Sequence, residues 1–416
     1  NSTGTNTMTG AVAIGHNALT ALTSGASNVA IGYQSAKLIT SGANNVTIGY
    51  LALSTANGGE SNNVAIGESA MLSADNGATE KNIAIGRLAL TGGSGALIGN
   101  IAIGHLALDA TAATATVVGI GDVANPNIAI GYQAGKGITE GDSNVIIGHL
   151  AQGKAAANGR GDDNVYIGAR AAYTATDADR NIAIGRDALY STTTGAHNVV
   201  IGHSALYTAN HTSNDGTVAI GYNALMAKNL ASGSQYDGAT TAIGYQALTA
   251  LTSGTANTAI GYKAAAELSD NSHNTAIGYQ AMYRSGATVY YNTFIGSNSG
   301  SGDWSGGAYS NTAVGAATMA GVMTGTAIGN VAVGRDALGA VTSGANNVGI
   351  GLSAGAAITT DCRVIAIGSG AYDAMDTSSG HDGTATNGSG NMAIGYNSMT
   401  GFTDANCLKN TAIGFD

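Results

Sequence analysis

The chain has 416 residues, 64 of them glycine and one proline, with a formal net charge of −10 and 10% charged side chains. That balance excludes a nucleic-acid binder working through clustered Lys and Arg, and no window of about 18 apolar residues reads as a transmembrane helix. The glycine is periodic, so its abundance does not argue for disorder.

Residues 1–10 read as a lead-in, and residues 11–416 as a single continuous repeat domain. One phrase recurs through it, Asn-(Val/Ile/Thr)-Ala-Ile-Gly. It stands at Asn28 to Gly32 with Ile31, at Asn127 to Gly131 with Ile130, and at Asn274 to Gly278 with Ile277. There are 23 registers, and ten of the 22 intervals between their closing glycines are 17 residues; the outliers are 10, 23 and 27. A helix-pair repeat needs roughly 33 to 47 residues. A 17-residue unit suits one coil of an all-β parallel β-solenoid, a β-roll with two short strands and two turns per coil. At a rise of about 4.8 Å per coil, 23 coils span roughly 110 Å.

Counting the closing glycine as position 0, Ile or Val stands at −1, Val, Ile or Thr mostly at −3, and a small residue between them. This period-two alternation is a strand with two different faces. Asn occupies −4 in 18 of the 23 registers, where stacked amides make a hydrogen-bonded ladder. Ala or Ser follows at +3, Leu or Met often at +4, and a second glycine at +10 (Gly25, Gly42, Gly254) closes the coil. So narrow a coil encloses only a thin apolar line, leaving an apolar side exposed, which normally marks an association surface. The Ala-rich face is expected to lie against neighbouring chains.

Irregular coils are candidate sites, because insertions in a solenoid map to loops on the binding face. They fall at 222–239 with Tyr236, at 283–309, and at 369–390 with Tyr372 and His381. The middle one holds Tyr290, Tyr291, Phe294, Tyr309 and Trp304, the only tryptophan, in a Gly-Ser-rich loop. Aromatic faces stack on sugar rings, so Trp304 is expected on a flexible arm as a glycan contact. Tyr recurs at +1 (Tyr33, Tyr50, Tyr132, Tyr222, Tyr245, Tyr262, Tyr279, Tyr396), as does His at His16, His105, His149 and His203. These rings line the exterior or a subunit seam, or form a repetitive track. Cys362 and Cys407 lie two coils apart by register, about 10 Å along the axis, and are expected as two buried free thiols.

Catalytic patterns fail on context. Gly351-Leu352-Ser353-Ala354-Gly355 matches a nucleophile elbow, which needs a strand, a sharp turn and a helix. Gly119 to Ala124 mimics half a dinucleotide fingerprint. The carboxylates Asp162, Asp163, Asp177 and Asp179 read as solvated turn groups rather than a calcium site. The eight His show no metal-ligand spacing. No enzyme activity, cofactor or metal is expected.

The Asn-x-Ala-Ile-Gly phrase with its small-residue-rich sequel resembles the head repeat of trimeric autotransporter adhesins, the YadA-like heads. The form at 274–282, Asn-Thr-Ala-Ile-Gly-Tyr-Gln-Ala-Met, is similar to shafts of phage tail fibres. The resemblance covers the chain from about Ala11 to Gly414. It implies a left-handed parallel β-roll, three chains side by side, on a virion or bacterial surface. It also implies attachment to a cell-surface glycan or protein receptor. The chain begins close to the repeat, which is expected of a processed protein or a segment of a longer one. A rival reading is a self-assembling extracellular filament with chains stacked end to end, since the last register closes at Gly414 without a capping element. A solenoid glycan depolymerase is a distant third, because no coil offers a facing carboxylate pair.

Overall fold

The computed structural model describes all residues except 1–8, 75–77, 93–96, 110–125, 155–158, 209–214, 229–239, 285–288, 306, 324–326, 374–389, 401–408 and 416. The chain divides into two compact units, Asn1–Asp215 and Gly216–Asp416. Each is a parallel β-solenoid, and no helix occurs among the described residues. Each carries eleven three-residue strands at positions −3 to −1. In the first unit, Val12–Ile14 pairs with Val29–Ile31, like on like: Val12 with Val29, Ala13 with Ala30, Ile14 with Ile31. The register continues to Val199–Ile201. In the second unit it runs from Val218–Ile220 against Thr241–Ile243 to Thr411–Ile413.

The 22 strands are one fewer than the registers read from the sequence. Ile101–Ile103 pairs directly with Ile128–Ile130, and Asn127 N–H donates to Asn100 Oδ1 across the same step. The register closing at Gly121 lies outside the described residues.

A second strand in every coil was also expected, and it is mostly a run of turns instead. Among the described residues, two-residue strands appear only at Val289–Tyr290, Ala308–Tyr309 and Ala327–Ile328, with isolated bridges from Ser61 to Glu80 and from Glu80 to Ile98. Each sits just before a corner residue at −5 with positive φ: Asn62, Lys81, Gly99, Tyr291, Ser310 and Gly329. Gly99 and Gly329, each five residues before the closing glycine of its coil, are therefore corners and not coil closures.

Three positions per coil lie in the left-handed region: −5, +2 and +4. A second branch on Cβ makes that region a genuine outlier, and no Val, Ile or Thr is found there. Core position +4 is filled by Leu53, Met71, Leu90 or Leu248, all at φ between 49° and 54°. The glycine at 0 is required twice over. Gly261 has a φ of 139°, and a Cβ on it would run into the carbonyl of Gly278 in the next coil.

The interior is the reverse of the expected arrangement. The Ala row at −2 points inward and is fully buried (Ala65, Ala84, Ala102, Ala219). It shares the core with the +4 row and with a +7 row that includes Ile39, Ile138, Leu251 and Ile358, all buried. Val or Ile at −3 and Ile at −1 point outward, mostly half-buried. The reason is width. A position facing a Leu or Met across so thin a coil has room for a methyl and little more. Where Phe294 fills −2, the +4 residue of the same coil is a glycine: a Cβ on Gly300 would run into the Phe294 ring.

The Asn residues at −4 clamp the coils. Asn45 N–H and Nδ2 both donate to Asn28 Oδ1 at 3.0 Å, and Asn45 Nδ2 also donates to the Glu60 carbonyl on the return side at 2.7 Å. Asn164 repeats the pattern with Asn144 Oδ1 and the Ala178 carbonyl, as does Asn274 with Asn257 Oδ1 and the Val289 carbonyl. Each amide ties strand to strand and strand to turn. Each buried bond stabilises by about 1 kcal/mol net, and an orphaned partner costs about 1–3 kcal/mol.

Candidate interaction surface

The outward residues at −3 and −1 form two parallel rows in each unit. Every −1 residue is Ile or Val, and no charged residue occupies either position in any of the 22 strands. Neighbouring rungs lie about 4.8 Å apart, and the two rows are separated by two strand residues, roughly 6.7 Å. The result is a charge-free strip, aliphatic throughout its −1 row and, in the second unit, carrying Thr among the aliphatic residues of its −3 row.

Position +1 borders that strip. Its aromatic residues stack from coil to coil: Tyr222, Tyr245, Tyr262 and Tyr279 with successive centroids 5.3 Å apart and planes within 10°. His16, Tyr33 and Tyr50 do the same in the first unit, as do His105, Tyr132 and His149. A sugar ring stacks on an open aromatic face. Within these runs both faces of an inner ring are taken by neighbours, so the row offers ring edges and hydroxyls. This geometry removes the row as a stacking track for glycans.

A separate row at +5 stacks Tyr173, Tyr190 and Tyr207 at 5.2 and 4.8 Å. Arg170 lies over the Tyr190 ring at 5.5 Å and pairs with Asp187 at 2.7 Å. The hydrogen bond that Arg170 donates to Asp187 raises the Arg170 pKa, and partial burial raises that of Tyr190. Asp187 also receives Arg186 at 3.3 Å.

The aromatic residues singled out from the sequence part ways. Trp304 is 1% exposed, not on an arm. Its indole packs on Phe294, with centroids 5.1 Å apart and planes tilted by 56°. Gly300 at +4 makes room for the Phe294 ring, and the indole fills the remaining core. Tyr372 is likewise buried: it takes the +4 core position and its hydroxyl accepts from Asn391 Nδ2 at 2.8 Å. Tyr291 is 62% exposed and stacks on His273 at 4.9 Å. Tyr290 stacks on Tyr309 at 6.1 Å along the short second ladder. Tyr290 and Tyr309 thus form one stacked pair and Tyr291 another with His273, both apart from the buried Trp304. Tyr236, His381 and Cys407 lie outside the described residues. Cys362 is half-buried, not buried, and its Sγ accepts from Ala345 N–H at 3.4 Å.

The turn carboxylates are engaged by neighbouring backbone. Asp162 Oδ1 accepts from Asp142 N–H at 2.8 Å, and Asp179 Oδ1 from Asp162 N–H at 2.9 Å. Among the described residues no three His, Cys, Asp or Glu converge as a metal site would require. Ser353, in the elbow-like pentapeptide, is an ordinary +2 residue with φ 54°. The aliphatic strip was the feature sequence reasoning misassigned; the exclusion of β-branched residues from +4 was the signal that could have oriented it. Comparison with models of known protein families finds no match, and comparison with curated proteins finds none either.

Proposed function

We propose that this chain is a structural and adhesive fibre shaft, related to YadA-like heads or phage tail-fibre shafts. It works outside the cell, on a virion or a bacterial surface. Three copies associate side by side through their aliphatic strips, and the fibre attaches to a cell-surface glycan or protein receptor. Its role is mechanical and adhesive rather than catalytic, and it calls for no cofactor.

The strip is the observation that carries this reading. Each coil offers on the order of 100 Å² of apolar surface, worth about 2 kcal/mol when covered. Eleven such coils per unit exceed both the few hundred Å² typical of a monomer's largest patch and the roughly 800 Å² per partner of a stable interface. The Asn clamps and glycine stacks beneath it give the stiffness a shaft needs. The seam is assigned to the Val/Ile rows and not to the inward Ala row.

Light scattering with negative-stain imaging tests this. The full chain is expected as a discrete particle of three copies. Ile167→Asp and Ile260→Asp, each placing a carboxylate in one unit's strip, are expected to release monomers while circular dichroism stays unchanged. A monomeric parent chain would sink the proposal, and filaments of indefinite length would favour end-to-end polymerisation. Retention on glycan arrays or whole cells tests the adhesive half separately.

A further inference from the structure

We propose that Tyr222, Tyr245, Tyr262 and Tyr279 form an oxidative cross-linking site, at which neighbouring rungs couple through dityrosine bonds. The four rings belong to consecutive coils of the second unit. They stack at 5.3 Å with planes 8° to 10° apart and are 42–51% exposed. Backbone pairing holds the rungs together: Gln246 N–H donates to the Tyr222 carbonyl, Lys263 N–H to that of Tyr245, and Gln280 N–H to that of Tyr262, at 2.8 to 2.9 Å. Each phenol therefore meets its neighbour at a high fixed local concentration, with its outer edge open to solvent.

The chemistry needs one oxidant, hydrogen peroxide activated by a haem peroxidase. Each of two phenols loses its O–H hydrogen to give a phenoxyl radical with spin on the carbons ortho to oxygen. The radicals join through one ortho C–C bond, and the two ring hydrogens move to the oxygens as both rings regain aromaticity. Two hydrogens leave in total, and they reduce one peroxide to two waters. Rotation about Cβ–Cγ swings the ortho edges of adjacent rungs together on the solvent side. The product is a covalent bond between coils, formed without cysteine. The proposal does not depend on the fibre reading, because it concerns neighbours within one chain.

The test treats the dilute full-length chain with haem peroxidase and peroxide, folded and in guanidinium, followed by tryptic mapping. Cleavage after Lys228, Lys263 and Arg284 places Tyr222, Tyr245 and Tyr279 on three different peptides. In the folded chain, peptide 187–228 is expected joined to 229–263 through Tyr222–Tyr245, and 229–263 to 264–284 through Tyr262–Tyr279. Each product is lighter by two hydrogens and shows dityrosine fluorescence. Yield is expected to exceed that of the denatured chain by roughly tenfold. Y245F/Y262F should remove both joined peptides while leaving the circular dichroism spectrum intact. Equal yields folded and denatured, or products joining only separate chains, would overturn the proposal.

Discussion

The two units share a coil but differ in how strictly they repeat it. In the first, the outward −3 row is Val or Ile in all eleven strands, and an unbroken Asn ladder runs from Asn28 to Asn198. In the second, five successive strands carry Thr at −3: Thr241, Thr258, Thr275, Thr293 and Thr312. Its −4 position is interrupted by Thr217, Thr240 and Val364. Among the described residues, the second unit alone holds the extra two-residue strands. Both units keep the glycine stack at 0 and the positive-φ residues at −5, +2 and +4. The geometry of the turn and closure is thus obligatory, whereas single amide rungs and the chemistry of the outer row are adjustable.

The largest effect should be common to both units. Gly168→Ala in the first and Gly261→Ala in the second drive a methyl into the next coil's carbonyl at a φ of 137° and 139°. Each is expected to cost more than about 4 kcal/mol, read as loss of soluble folded protein. A mild effect in either unit would break the claim that the glycine stack is shared and obligatory.

Next comes a substitution that turns an irregular coil into an ordinary one. Phe294→Ala alone should cost about 3–5 kcal/mol through the cavity it leaves. Adding Gly300→Leu restores the Ala-opposite-Leu core of the other coils and should recover at least half of that in denaturant titrations. Failure to recover would show that Trp304, and not the −2/+4 pairing, sets the packing there.

The Asn ladder gives smaller changes of opposite sign. Asn164→Ala leaves the Asn181 N–H and the Ala178 carbonyl without their partner and should cost roughly 3 kcal/mol. Val364→Asn, whose N–H already donates to Asn347 Oδ1 at 2.9 Å, supplies a missing amide and should add about 1 kcal/mol. Equilibrium unfolding in urea would check both.

The smallest difference concerns acid. In the first unit the Thr23 hydroxyl donates to the Thr40 carbonyl, which does not titrate. In the second, Thr252 and Ser253 hydroxyls donate to the Asp270 carboxylate and hold its pKa below the ordinary value. A lowered folded pKa stabilises above the unfolded value near about 4, and that contribution fades as pH falls through the folded value. Thr252→Val should return Asp270 toward the ordinary carboxylate range in a carboxyl NMR titration. An unchanged midpoint would assign the lowered value to the Ser253 hydrogen bonds instead.

Much of this was readable from residues. The closing glycines at 0 and the Asn clamp at −4, as at Asn28, Asn127 and Asn274, follow from repetition, because a stacked coil copies its neighbours' constraints. The face orientation was misread, since alternation at Val29-Ala30-Ile31 declares two faces without saying which is inside. Only the opposing +4 residue settles it, and pairing −2 with +4 needs the path of the turn. Trp304 was misplaced for the same reason. A glycine-rich stretch looks like a free arm until Phe294 and Gly300 are seen as one core site, with space beside them for an indole.

The left-handed residues carry one more consequence, for how the chain acquires its shape. The described residues include 53 non-glycine positions with positive φ, three in a typical coil. At about 1 kcal/mol each, a lone coil begins roughly 3 kcal/mol uphill before any closure entropy. Only an adjoining finished coil supplies the carbonyls and amides that offset this. Growth from a seed, each lap copied from the one before, is then the natural assembly route. A defect should stall the laps beyond it while leaving those already wound intact.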